Sequence, residues 1–194
     1  LHRACGGKSR LLSTTERAAL LMKWEQVHIN VDYALICGDD PWPVIEPIWW
    51  QVDIHDTTED YEMSLLQFSL PQRLMFALQW YRSDVSSGGH QQFYYNMTGR
   101  VWPDVLRALE AIDAPNMRGL FIRSLEMLND RPPLERDDRC ELLDNLKPNF
   151  TSLDEQFSRI EEDEGIDELV MQYIQNHPKD FYFDGLIRRA VFPW

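Results

Sequence analysis

From Pro71 to Ser83 the apolar residues recur with the period of an α-helix: Leu74, Leu78 and Tyr81 stand at i, i+4 and i+7, beside Met75, Phe76 and Trp80. Pro71 falls in the first turn, where its missing N–H costs nothing. The pattern stops at Ser86-Ser87-Gly88-Gly89, and a glycine pair permits the left-handed backbone of a sharp reversal. A short second helix is predicted over His90 to Met97, with Gln92 and Asn96 on one face and Phe93 and Met97 on the next. The amides of Gln92 and Asn96 are expected to pair with main-chain groups freed by the turn. Gly88, Gly89, Gln92 and Asn96 are thus expected to form a structural hinge rather than a reactive centre. A phosphate-cradling loop is disfavoured, because no Lys lies between Lys23 and Lys147.

The rest of the chain also reads as helical. Ser13-Thr14-Thr15-Glu16 has the form of a capping box, and Leu20, Leu21, Trp24, Val27, His28, Val31 and Leu35 follow at helical spacing until Gly38-Asp39-Asp40-Pro41. Further helices are predicted over Pro43 to Ile54, from a cap near Asp56-Thr57-Thr58 to Phe68, and over Val105 to Ile112 and Met117 to Leu128. Beyond the rigid Arg131-Pro132-Pro133 connector come Glu135 to Leu146, Ser152 to about Glu162 and Ile166 to His177. Alternation suited to a strand appears only near Asp180 to Asp184. The expected fold is all-α: residues 13–194 as a single domain of roughly eight to ten helices around the double-glycine hinge, with residues 1–12 a flexible or vector-derived start.

Charge changes the picture. Nineteen basic residues against thirty-two acidic ones leave a net charge of −13. Such a surface repels nucleic acid and anionic membranes and attracts basic partners. From Trp24 to Gln72 there are ten carboxylates and no Lys or Arg; from Asp154 to Glu168 there are eight against Arg159 alone; from Arg73 to Phe150 ten basic residues nearly balance eleven acidic ones. The cysteines Cys5, Cys37 and Cys140 lack paired metal-type spacing and read as reduced thiols, consistent with a cytoplasmic protein. The histidines His2, His28, His55, His90 and His177 are scattered without a metal pattern, so neither metal nor cofactor is expected; His28 is expected at the core edge beside Trp24. His55 with Asp53 and Asp56 could form an acid–base group, but no nucleophile motif accompanies it, and the chain is expected not to be an enzyme.

Leu70-Pro71, Arg73, Val85, Gly88-Gly89, Gln92-Phe93, Asn96, Gly99, Ala108-Leu109 and Ile112-Asp113-Ala114 together resemble the bacterial DNA-mimic protein family of small, acidic, mostly helical domains. The likeness covers about Leu70 to Leu128 and departs at Ser87, where Asn is usual, and at His90, where an aromatic residue is usual. The resemblance implies that carboxylates stand in for phosphates and occupy the DNA-binding surface of a basic regulator.

Carboxylates four residues apart on a helix lie about 6 Å apart along its axis, comparable with neighbouring phosphates on a strand. On charge density alone, the expected partner-binding residues are Glu161, Glu162, Asp163, Glu164, Asp167 and Glu168, with Asp56, Glu59, Asp60 and Glu62 second. Glu161 to Glu164 would fall in a last helical turn, which the helix dipole disfavours. A solvated face, or the start of the next helix, would explain them equally. The expected partner is a basic DNA-binding protein or, alternatively, a toxin such as a nuclease inhibited by an immunity or antitoxin-type protein, since the same complementarity serves both. A purely structural protein that pairs as a homodimer through exposed Trp or Tyr is a third reading.

Overall fold

The computed structural model of the chain describes residues 23–55 and 57–191. These comprise ten α-helices, one 3-10 helix and two strands. Strand β1 (Lys23–Val31) leads into α1 (Tyr33–Ile36), α2 (Trp42–Gln51), α3 (Thr58–Leu65) and the long α4 (Leu70–Tyr95). A 3-10 turn (Met97–Val101) continues into α5 (Trp102–Ala111), α6 (Pro115–Glu126), α7 (Arg136–Leu146), α8 (Thr151–Glu164), α9 (Ile166–Asn176), α10 (Pro178–Phe181) and strand β2 (Phe183–Val191). The expected capping box at Ser13 lies outside the described residues.

The chain is mostly helical, as the apolar periodicity predicts, but not wholly so. Lys23–Val31, expected as helix, is a strand paired antiparallel with Phe183–Val191, from Lys23 opposite Val191 to Val31 opposite Phe183. Val27, Ile29 and Val31 turn inward while His28 and Asn30 stay exposed, a period of two carried by β-branched side chains. His28 is therefore not at the core edge beside Trp24; it is exposed and pairs with Asp184 at 2.8 Å. Two strands alone are marginal in water and need a helix to cover them. Here α2 supplies it: Trp24 meets Trp50 edge-on at 6.3 Å, and Arg189 donates to both Glu25 and Glu46.

Helix α4 organises the helical part. Ser69 caps it, its hydroxyl accepting from Gln72 N–H while the Gln72 side chain accepts from Ser69 N–H. The helix breaks at Gly88 and Gly89, the latter at φ 75° and ψ −179°. Asn96 Nδ2 donates to Asp84 Oδ1 at 3.1 Å although the two are twelve residues apart. In a straight helix that separation would span about 18 Å, so the chain after Gly89 turns back on itself. An added Cβ at Gly89 would sit 2.4 Å from the Asp154 carboxylate, which excludes any side chain there on space as well as on backbone.

The turn-back gathers aromatic residues from three helices. The Tyr81 ring meets Phe93 at 5.2 Å, Phe121 of α6 at 4.8 Å and Phe157 of α8 at 5.6 Å, each near-perpendicular. Val105, Ala108 and Leu109 of α5 and Leu120 of α6 complete this fully buried core.

Helix α7 is tied to the turn by a buried arginine. Arg139 is 0% exposed and gives its guanidinium to four carbonyls: Nε to Tyr94 at 2.6 Å, Nη1 to Pro133 and Leu134 at 2.9 and 2.8 Å, and Nη2 to Asn96 at 2.6 Å. Gly99 leaves room for it, since a Cβ there would meet Arg139 Nε at 2.6 Å. Burial lowers the Arg139 pKa to about 10, still charged at neutral pH. The planar fork reaches carbonyls of the turn and of the proline connector, sharing the Asn96 carbonyl with Gly99 N–H at 3.2 Å.

Arg139→Met takes a donor from each of those carbonyls and is expected to cost at least about 3 kcal/mol in urea unfolding, with Arg139→Lys intermediate. A loss below about 1 kcal/mol in both variants would show that the carbonyls find other partners.

Candidate partner-binding surface

The acidic residues singled out in the sequence separate into those held by the fold and those presented to solvent. On α8, Asp154 points inward to the turn of α4, where its Oδ1 accepts from His90 N–H at 2.9 Å and from His90 Nδ1 at 2.6 Å. Glu161 binds Arg82 Nε at 2.6 Å, and Asp167 of α9 takes Nη1 of the same arginine at 2.7 Å. Glu164 accepts from the N–H groups of Asn116 and Met117, each at 2.8 Å. That last pair resolves the expected dipole conflict: Glu164 ends its own helix but caps the positive start of α6. Gly165, at φ 62°, closes α8 in the left-handed conformation and lets α9 start at once. Glu162, Asp163 and Glu168 remain exposed, with no ion pair or hydrogen bond among the described residues.

The second group divides in the same way. Asp60 accepts from the Thr57 hydroxyl at 2.7 Å in the first turn of α3, and Glu59 shares that turn, where negative charge is favourable. Glu62 is exposed, and Asp56 lies outside the described residues.

Charge counting misses a further group. Asp137, Asp138, Glu141 and Asp144 of α7 are all exposed, with Asp137, Glu141 and Asp144 at i, i+4 and i+7 along one side. In the linear count Arg136 and Arg139 offset them. In the fold Arg139 is buried against carbonyls, and Arg136 lies over the Tyr95 ring at 4.8 Å and donates to its carbonyl at 3.0 Å, with a long pair to Asp137 at 3.7 Å. The heptad-like placing of Arg139 and Leu143 on the inner side was the available sign. Thr58 donates to Glu135 at 2.6 Å, which sets the acidic first turn of α3 beside that of α7. Glu59, Asp60, Asp137 and Asp138 thereby belong to one neighbourhood.

The turn residues have different partners from those expected. Gln92 Nε2 and Asn96 Nδ2 donate to Asp84 Oδ1 at 3.2 and 3.1 Å, and the Thr98 hydroxyl donates to Asp84 Oδ2, so the amides serve a buried carboxylate rather than the main chain. The main-chain role falls to Asp154 instead. His90 Nδ1 donates to Asp154, and its Nε2 accepts from the Tyr81 hydroxyl at 3.0 Å. This Tyr–His–carboxylate chain has the order of a proton relay, but Tyr81 and His90 are both fully buried, and it acts as a clamp. Burial holds the His90 pKa below the usual 6.5, outweighing the opposing pull of Asp154.

Other candidate chemistry is dispersed. Asp53 caps the His55 N–H at 2.9 Å, and the His55 ring faces Trp80. Among the described residues no group of three His, Cys, Asp or Glu is placed to hold a metal ion, Cys37 and Cys140 are unpaired thiols, and no helix is long and apolar enough to cross a membrane.

A family model described as DMP19-like protein matches residues 66–177, from just before α4 to the end of α9. No curated protein and no solved structure matches the chain.

The depressed His90 pKa gives stability a defined pH dependence. Its contribution is complete above the unfolded value near 6.5 and is lost as pH falls from there through the folded value, because the unfolded chain binds the proton first. Urea midpoints measured from about pH 7.5 down to about pH 5 are expected to fall more steeply for the native sequence than for His90→Gln. Parallel curves would remove His90 as the titrating group.

Proposed function

The chain belongs to the DMP19-like proteins, a DNA-mimic family, and on that premise we propose that it binds a basic DNA-binding protein and blocks the surface that partner offers to DNA. The observation that carries this reading is the family match over the α4–α9 scaffold; the net charge of −13 supports it. A mimic needs carboxylates held at phosphate-like spacing on a rigid frame. Asp137, Glu141 and Asp144 rise about 6 and 4.5 Å apart along α7, and Arg139 anchors that helix to the core. Glu59, Asp60 and Glu62 of the adjoining α3 extend the same acidic ground.

The α3–α7 side is the main contact in this proposal, and Glu162, Asp163 and Glu168 at the α8–α9 corner are secondary. Glu161, Glu164 and Asp167 contribute chiefly by holding α4, α6, α8 and α9 together. The double-glycine turn serves as the hinge that fixes these helices, and the protein acts by occupancy without catalysis. Its working place is the cytoplasm, where a DNA-binding partner is available.

Charge-dependent association is screened over about 8 Å at physiological ionic strength, so binding should weaken steeply with salt. The first measurement is capture of partners from the native cytoplasm at low salt, release at high salt, and competition by duplex DNA. A sequence-specific DNA-binding protein displaced by DNA is expected; a captured toxin that DNA does not displace, or affinity insensitive to salt, would overturn the proposal. With the partner in hand, reversing Asp137, Glu141 and Asp144 to Lys is expected to weaken binding by at least about 100-fold, and reversing Glu162, Asp163 and Glu168 by about tenfold or less. Unchanged helicity in both variants would confirm that only the surface was altered.

A further inference from the structure

Among the described residues the sheet has two strands only, so β1 and β2 each keep one edge with no strand beside it. A bare edge is a template for another chain, and proteins blunt it with proline, lysine, a bulge or a short strand. β2 has none of these devices. Phe183–Val191 runs for nine residues without Pro or Lys, and its one-to-one register with β1 leaves no extra residue for a bulge. Both strands lie outside residues 66–177, the span that the family model matches.

The side chains of β2 say what fits its edge. Asp184, Leu186 and Arg188 are exposed and, two residues apart, share one face of the strand. Leu186, between the two charges, is 63% exposed. Asp184 meets the His28 imidazole at 2.8 Å, and Arg188 lies over the Trp24 ring at 5.0 Å with no carboxylate partner among the described residues. In an antiparallel pair, residues directly opposite one another share a face. Pairing β2 with a second copy of itself about Leu186 therefore sets Leu186 against Leu186, and Asp184 against Arg188 of the second copy twice over. β1 offers no such match: its Lys23 and Glu25 face each other only about Trp24, at the strand's end. β2 also holds two Arg against one Asp in a chain of net charge −13, which lets two acidic copies approach along it.

We infer that the chain forms a two-fold dimer in which the β2 edges of two copies pair antiparallel over Asp184 to Arg188, joining two two-stranded sheets into one of four strands. Leu186 packs on its symmetry mate at the axis, and two Asp184–Arg188 ion pairs flank it. The inference concerns the sheet alone and does not rest on the partner proposed above.

The test is the oligomeric state of the full chain, followed by sedimentation from about 1 to 100 μM. A mass twice that of the chain is expected at the upper end. Arg188→Asp turns both ion pairs into like-charge pairs and is expected to weaken dimerisation at least about tenfold; adding Asp184→Arg is expected to restore it to within about threefold of native. Oxidative cross-linking reads the register. Leu186→Cys puts two thiols at the axis on Cα atoms about 5 Å apart and is expected to give a covalent dimer that reduction releases. Asp184→Cys puts them about 14 Å apart, beyond disulfide reach, and is expected to give none. A chain monomeric throughout that range, a dimer indifferent to Arg188→Asp, no recovery on the charge swap, or cross-linking at position 184 as efficient as at 186 would each overturn the assignment.

Discussion

The fold depends on burying charge and hydrogen-bonding groups where the chain reverses at Gly88-Gly89. Asp84, His90, Thr98 and Arg139 are all buried around that reversal, and each is paired. The reversal brings Asn96 and Thr98 back beside Asp84 and leaves main-chain groups that the helix itself does not pair. Asp154 answers the N–H side by accepting from His90, and Arg139 answers the carbonyl side by donating to Tyr94 and Asn96. Because these partners come from α8 and α7, satisfying the turn also docks two distant helices. A buried network of this kind specifies one arrangement, since any slip would strand a charge in the interior.

The helices were legible because their apolar stripes are local. Leu74, Leu78 and Tyr81 announce the first arm of α4, and the glycine pair announces its break, from neighbours in sequence alone. β1 was not legible as a strand, although Val27, Ile29 and Val31 carry a period of two, because the same stretch offers Trp24, Val27, His28 and Val31 at helical spacing. What decides between them is a partner some 160 residues away: Lys23 pairs with Val191 only after every helix has been laid down. Tertiary context overrides local pattern in such a case.

The acidic surface was half legible for a related reason. Counting charge along the chain treats Arg139 as neutralising Asp137, Asp138 and Glu141, whereas its charge is spent inside the protein on carbonyl oxygens. Within the dense run Glu161 to Glu168, Glu161 and Asp167 share Arg82 and Glu164 caps α6, although Asp167 stays exposed. Linear density measures how much charge is present; burial of the counter-ions decides which of it faces outward. Identifying Arg82 and Arg139 as interior partners requires knowing that they lie on the packed sides of their helices.

These internal pairs bear directly on how an acidic surface can imitate a nucleic acid. Flexible carboxylates would lose side-chain and backbone freedom on meeting a partner, and that loss subtracts from affinity. Here α7 is fixed by four hydrogen bonds from Arg139, and the α8–α9 corner is fixed by Arg82 and by the cap on α6. The carboxylates bonded within the fold thus help to hold in register those that make no such bond. Like charges held in a row repel one another, and the folded state bears that cost whether or not a partner is present. The arrangement persists because the buried aromatic and polar core around Tyr81 and His90 supplies the opposing stabilisation, leaving repulsion among exposed carboxylates that a nearby positive charge would relieve.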